Sequence, residues 1–250
     1  MLIAKILRTM ILFSKVSDIL SSIRDGSMLK FKNREKAAFT LASVIKDSIK
    51  GIPKEEILVL GVPRGGVIMA SIISQKIGAL AFDIVIPRKL AAPNNPELGV
   101  GAIMIDGTLY LNEYVVNALK ITKEYLEEER HRQIEEIRRR ESVYRKNAGY
   151  YDVSNKVIVL VDDGAATGAT LVAASRWIKK QKPKRLIIAI PVVPKETLEL
   201  LKKESDDVQA VIVPSTTNFR SVGQYYEDFA SVSDEEVVKI MKKENHQKGF

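Results

Sequence analysis

Val157-Ile158-Val159-Leu160-Val161-Asp162-Asp163-Gly164-Ala165-Ala166-Thr167-Gly168-Ala169-Thr170 decides how the rest of the chain reads. A β-branched run ends in two acids, a loop of small residues follows, and an amphipathic run continues from Leu171 to Lys180. The apolar run predicts a parallel strand buried on both faces. The loop then delivers a helix N-terminus at the carboxyl end of that strand, where open α/β sheets bind ligands. Gly168 lets a backbone approach closely, and Ala165, Ala166 and Ala169 keep side chains out of the way. Backbone amides at a helix start make an anion seat, to which Thr167 and Thr170 add hydroxyl donors. Asp162 and Asp163 would repel a phosphate, so their task differs. Carboxylates accept hydrogen bonds from hydroxyls and help to hold Mg²⁺. A ribose 5-phosphate, with a phosphate at one end and a diol beside it, suits both halves.

Composition bounds the remaining choices. The chain has 250 residues and is 46% hydrophobic, enough for one α/β domain with a sizeable core. It contains no cysteine, which excludes disulfides and thiolate catalysis, and with only two histidines a zinc site is a poor candidate. A net charge of +8 suits anionic small molecules, nucleic acid or an acidic surface without choosing among them. No run reaches the roughly 18 apolar residues of a membrane span. Residues 1–13 are apolar but broken by Lys5 and Arg8, and no convincing signal-peptide cleavage site follows. A cytoplasmic location is therefore expected. Residues 1–27 read as a helical extension, and residues 28–250 as one domain.

Working outward, Ile57 to Val62 forms a second buried strand that runs directly into Pro63-Arg64-Gly65-Gly66, followed by a helix from Val67 to Ile77. This is a second potential anion seat, in which Arg64 supplies a planar cationic fork. Phe82 to Pro87 reads as a strand that ends in Arg88-Lys89, two cations able to meet a diphosphate. Residues 90–99 hold two prolines, two asparagines and a glycine, and read as a functional lid. Asp106-Gly107 signals a hairpin between two short strands. Asn33 is placed to cap a helix, and Ser233 with Glu236 forms a capping box for the last one.

Asn112 to Lys146 reads as a solvated helical excursion, supported by the i,i+4 pairs Glu128/Arg132, Glu135/Arg139 and Glu136/Arg140. It lies across the domain or against a partner subunit, so a homodimer is one candidate assembly. Glutamates interleaved with Arg139-Arg140 argue against RNA binding. Leu186 to Val193 and Val208 to Val213 complete the sheet. The segment from Phe219 to Phe229 then concentrates aromatics in a polar setting. Phe219, Tyr225 and Tyr226 could form a flat wall for a heterocycle, with Arg220 and Gln224 at its edge. The alternative is that these aromatics pack the edge of the sheet.

The acid-pair stretch resembles the phosphoribosyl diphosphate (PRPP) motif of type I phosphoribosyltransferases. Four further motifs stand in order around it: F-x-x-R-x-x-A over Phe31 to Ala37, the P-R-G-G loop, R-K-L-x-A-P-x-N-P-E-L-x-x-G-A-I from Arg88, and F-R-x-V-G-Q-x-Y-E-D-F from Phe219. A Walker A loop and a dinucleotide G-x-G-x-x-G are both absent from the sequence. The resemblance implies a mainly parallel sheet with helices on both faces and a small hood from the terminal segments. It implies transfer of 5-phosphoribosyl from PRPP to a nitrogen acceptor, a nucleobase in the leading version, with Mg²⁺ as cofactor and release of diphosphate. PRPP would be held by Arg64, Gly65, Gly66, Arg88, Lys89, Asp162, Asp163, Ala166, Thr167, Gly168, Ala169 and Thr170. Asp162, Asp163, Arg64 and Lys89 would act on the reacting groups, and the two aspartates would serve the metal, directly or through ribose or water. A PRPP-responsive regulator without transferase activity stays open as the alternative, and the acceptor is not named by the motifs.

Overall fold

The computed structural model describes residues 29–145 and 149–247. The extension expected over residues 1–27 lies outside them. The main sheet is parallel, with β2 (Ala81–Ile84), β1 (Ile57–Gly61), β6 (Val157–Val161), β7 (Arg185–Val192) and β8 (Asp207–Ile212) in that spatial order. β1 and β6 lie side by side in register from Ile57↔Val157 to Gly61↔Val161. Every residue of both strands is buried. That explains their unbroken apolar character, since a period-2 alternation appears only where one face meets water.

Helices cover both faces. Val59, Val157, Val159, Val161 and Ile187 share one core with α1 (Arg34–Ser48) and α2 (Gly65–Ile77), through Leu41, Ile45, Val67, Met69 and Ile73. The intervening residues Leu58, Leu60, Ile158, Leu160 and Ile188 turn to the opposite core, against Leu171, Ala174 and Ile178 of α5 (Ala169–Lys180) and Leu201 of α6 (Lys195–Lys203). Asn33 caps α1 by accepting from the Lys36 amide at 3.0 Å. Ser233 and Glu236 exchange the expected bonds at the start of α7 (Asp234–Gln247). The terminal segments meet beside the sheet, where the Phe31 amide donates to the Tyr225 carbonyl and the Glu227 amide to that of Phe31, each at 2.8 Å.

Two expectations are corrected. The stretch read as a lid loop is a β-hairpin: β3 (Arg88–Ala92) pairs antiparallel with β4 (Asn95–Ile103) across a two-residue turn at Pro93-Asn94. Asn94 adopts φ 59°, a backbone region that asparagine tolerates better than most residues. Prolines suggested a loop, but Pro96 lies in the exposed outer part of β4, where a missing amide costs little. β5 (Leu109–Leu111) completes this second sheet through the expected Asp106-Gly107 turn. The helical excursion is also broken, into α3 (Glu113–Ala118) and α4 (Lys123–Arg145), with Lys120 at φ 51° between them. In α4, Arg132 pairs with Glu129 and Arg139 with Glu136, at i,i+3; of the anticipated i,i+4 pairs, Glu136/Arg140 forms. No helix among the described residues is long and apolar enough to cross a membrane.

Candidate active site at two neighbouring strand ends

The loops after β1 and β6 leave adjacent strands at the same end of the sheet. The Val62 amide donates to the Val161 carbonyl at 2.9 Å, so the two crossings start side by side. The first runs through Pro63-Arg64-Gly65-Gly66, where the Pro63–Arg64 peptide is cis. Its glycines are required by space. A Cβ on Gly65 would stand 1.8 Å from Asp163 Oδ2, and one on Gly66 would stand 2.7 Å from the Val161 carbonyl oxygen. The P-R-G-G backbone therefore lies directly against the acid pair. Arg64 occupies the cap position of α2 and Gly168 that of α5. Neither residue offers a side-chain acceptor to the helix amides; at α5 the Ala169 amide makes a long bond to Thr167 Oγ1 at 3.5 Å, and the amides that follow in each first turn are the donors for an anion.

The second crossing is held from three sides. Arg34, at the start of α1, donates from Nε to Asp163 Oδ2 at 2.7 Å and from Nη1 to the Ala230 carbonyl at 2.7 Å, with its guanidinium 3.9 Å above the Phe229 ring. The buried Tyr226 hydroxyl donates to the Asp163 carbonyl at 2.7 Å. Thr197 of α6 donates to the Ala166 carbonyl at 2.6 Å. Gly164 and Gly168 adopt φ 153° and 74°, a region that L side chains avoid, while Val222 and Thr197 pack against their α-carbons. Ala166 and Thr167 remain exposed at the loop tip and Thr170 is half-buried, with Ala169 buried beneath them.

Burial, followed by the neighbouring charge of Asp163, pushes the Asp162 carboxyl well above the usual carboxylate range. Asp163 is raised by burial too, while Arg34 pulls in the opposite direction. Two crowded carboxylates gain from a hydroxyl donor or a cation. They present the hard oxygen donors that Mg²⁺ accepts, one or two carboxylates with the remainder supplied by water and substrate. No cluster of three or more metal-ligating side chains occurs among the described residues, so substrate and solvent would complete such a shell.

Arg88 and Lys89 are engaged elsewhere. Arg88 Nε donates to Gln133 Oε1 at 2.9 Å, and Lys89 Nζ donates to the Glu97 carbonyl at 3.0 Å, across its own hairpin. The buried Glu129 carboxylate accepts from the Ala91 amide and from Gln133 Nε2, and Tyr125 donates to the Ala91 carbonyl. These bonds fasten β3 to α4. In the candidate wall, Tyr225 and Tyr226 are buried in the core. Gln224 accepts from the Arg220 amide and donates to the Asn218 carbonyl, stapling its own loop. Phe219 stacks on Tyr225 with centroids 6.0 Å apart, and the Arg220 side chain is exposed.

Sequence reasoning missed Arg34, although the F-x-x-R-x-x-A motif spelled it out. It also missed Asp234, whose Oδ1 lies 3.6 Å from Arg64 Nη1. Arg34 was legible as a motif letter, but Asp234 carries no local signal beyond its place in a helix first turn.

Known proteins share the fold that carries these residues. The chain is 36% identical to TT1426 from Thermus thermophilus, whose crystal structure superposes with a TM-score of 0.70 over 86% of this chain and 99% of that one. Two Mycobacterium tuberculosis proteins, from strains CDC 1551 and H37Rv and named provisionally as phosphoribosyl transferases, are 33% identical over 185 residues. That match covers 74% of this chain and 41% of each relative, so the chain spans about two fifths of their length. The model of the phosphoribosyl transferase domain matches residues 27–229, taking in Arg34, both strand-end crossings and the hood aromatics. The chain belongs to the phosphoribosyl transferase domain family.

Proposed function

We propose that this chain transfers the 5-phosphoribosyl group of PRPP to a nitrogen acceptor, a nucleobase in the first instance, and releases diphosphate. The observation that carries the proposal is the placement of Gly65 against Asp163, which joins an amide-and-arginine loop to an acid pair at the ends of neighbouring strands. In the reaction the C1–O bond to diphosphate breaks and its electron pair leaves with the diphosphate. The acceptor nitrogen forms the new bond to C1 and gives up its proton to the departing diphosphate or to solvent. Positive charge grows on the ribose as negative charge grows on the leaving group. The amides of Gly65 and Gly66 and the guanidinium of Arg64 face the departing anion. Asp162 and Asp163 accept the ribose hydroxyls and offset charge on the ring. The first turn of α5, with Thr167 and Thr170, receives the 5-phosphate. Mg²⁺, when bound, would neutralise charge on the diphosphate, with the aspartates reaching it directly or through ribose or water.

A second reading is favoured by the hood. With Tyr225 and Tyr226 in the core and Gln224 bonded within its loop, Phe219 and Arg220 are what the wall retains for an acceptor. A protein that binds PRPP without consuming it fits so small a wall. Incubation with PRPP, Mg²⁺ and a panel of nucleobases, with diphosphate release measured, separates the two. Base-dependent release supports the transferase. PRPP binding without release under every base supports the binder, and no binding of PRPP at millimolar concentration removes both.

A further inference from the structure

Asp234 is the meeting point of three elements. Its Oδ1 accepts from the Tyr144 hydroxyl at 2.5 Å, and its Oδ2 accepts from Arg139 Nη2 at 3.2 Å, both from α4. Arg64, reaching over from the P-R-G-G loop, shares Oδ1 with Tyr144 at the longer distance of 3.6 Å. The two α4 contacts are hydrogen bonds, whereas the Arg64 contact is an ion pair beyond hydrogen-bond length. Arg139 is also bound by both oxygens of Glu136. Asp234 is thus anchored to α4 and only loosely joined to Arg64, whose side chain is 42% exposed. The Tyr144 and Arg139 bonds hold the carboxyl of Asp234 below its usual range, so it is ionised at neutral pH.

We propose that Asp234 is a positioning counter-ion that holds the Arg64 side chain until an anionic group of the substrate, the diphosphate end, displaces it. This rests on the reading of Arg64 as a diphosphate ligand. A strong ion pair at Arg64 would oppose diphosphate binding, because it has to break before the new one forms. The shared carboxylate oxygen gives an intermediate state in which one loose ion pair is exchanged for a closer, charge-assisted one. Tyr144 sets how loose that pair is, because its hydroxyl competes with Arg64 for the same oxygen.

The test is calorimetric titration of the full chain with inorganic diphosphate and, separately, ribose 5-phosphate. Asp234→Asn removes the competing charge and should tighten diphosphate by about two- to fivefold, the range of exposed ion pairs. Tyr144→Phe keeps the buried ring, frees Oδ1 for Arg64, and should weaken diphosphate by a similar factor. Ribose 5-phosphate affinity should stay unchanged in both. In an Arg64→Ala background, Asp234→Asn should have no effect on diphosphate. Unchanged or weaker diphosphate binding by Asp234→Asn overturns the proposal. Should that variant fail to fold, unchanged or tighter binding by Tyr144→Phe overturns it instead. Wild-type protein that binds no diphosphate defeats the reading of Arg64 itself, which is a distinct outcome.

Discussion

The crossings after β1 and β6 share one architecture and differ in how they are held. Each leaves a fully buried parallel strand, turns through glycines and opens a helix. The β6 loop is clasped by Arg34, Tyr226 and Thr197 from three other parts of the chain. In the β1 loop, close packing around Gly65 and Gly66 holds the backbone, but the Arg64 side chain makes a long ion pair with Asp234 at 3.6 Å. On the proposed reaction the difference follows the ligand: ribose and 5-phosphate stay seated throughout, while diphosphate arrives and departs. A rigid seat keeps the sugar aligned, and a looser cation follows the leaving group.

The comparison breaks most visibly at Arg34. Arg34→Ala strands a mostly buried Asp163 carboxylate and should cost about 3 kcal/mol of stability. The loss should be larger at pH 8 than at pH 5, because protonation of Asp163 relieves it. Chemical denaturation at the two pH values checks this; an equal loss at both would mean that Arg34 serves mainly through its contacts with Ala230 and Phe229. Next in size is Gly66→Ala, which forces a Cβ against the Val161 carbonyl and the Asp162 backbone. Strand backbone cannot yield as a side-chain tip can, so a cost of about 1–3 kcal/mol is expected. The thermal midpoint of that variant decides whether the P-R-G-G backbone is as tightly seated as the acid loop.

Asp162→Asn has a smaller effect, opposite in sign. Asp162 has a carboxyl raised above its ordinary value near 3.8 in the folded protein. Its favourable contribution is therefore full below that value and lost as pH rises through the folded one. The ligand-free variant should be more stable than wild type at pH 7–8, with the gap closing toward pH 4, and PRPP should no longer raise its thermal midpoint. A variant less stable than wild type at neutral pH would contradict the crowding of the two acids. Smallest for the fold is Arg64→Ala, because the side chain is half-exposed and loosely paired. Stability should hardly move, while diphosphate affinity falls about tenfold, the scale of one charge-assisted hydrogen bond. Ribose 5-phosphate affinity should persist, and equal loss for both ligands would erase the distinction between the crossings.

The sheet and its two loops were legible because their cause is local. A continuous apolar run predicts a strand buried on both faces, and glycines with acids or an arginine at its end mark a binding turn. The hairpin at Arg88–Ile103 was not legible, because its prolines read as breakers until the exposed end of β4 gave Pro96 a harmless place. Tyr225 and Tyr226 show the same limit. An aromatic in a polar stretch suits a ligand wall or a core equally well, and it is the tertiary fold, in which Tyr226 pairs with Phe31, that leaves both buried.

By itself, the sequence determined the strand–loop–helix units and the chemistry that each loop can offer, since period, residue type and backbone freedom act within a few neighbours. Tertiary structure alone decided which loops face each other and which charges meet. Arg34 reaches Asp163 across 129 residues, and Arg64 reaches Asp234 across 170. Such pairings follow from sheet order and from the return of the chain ends, and no local pattern encodes a distance of that length.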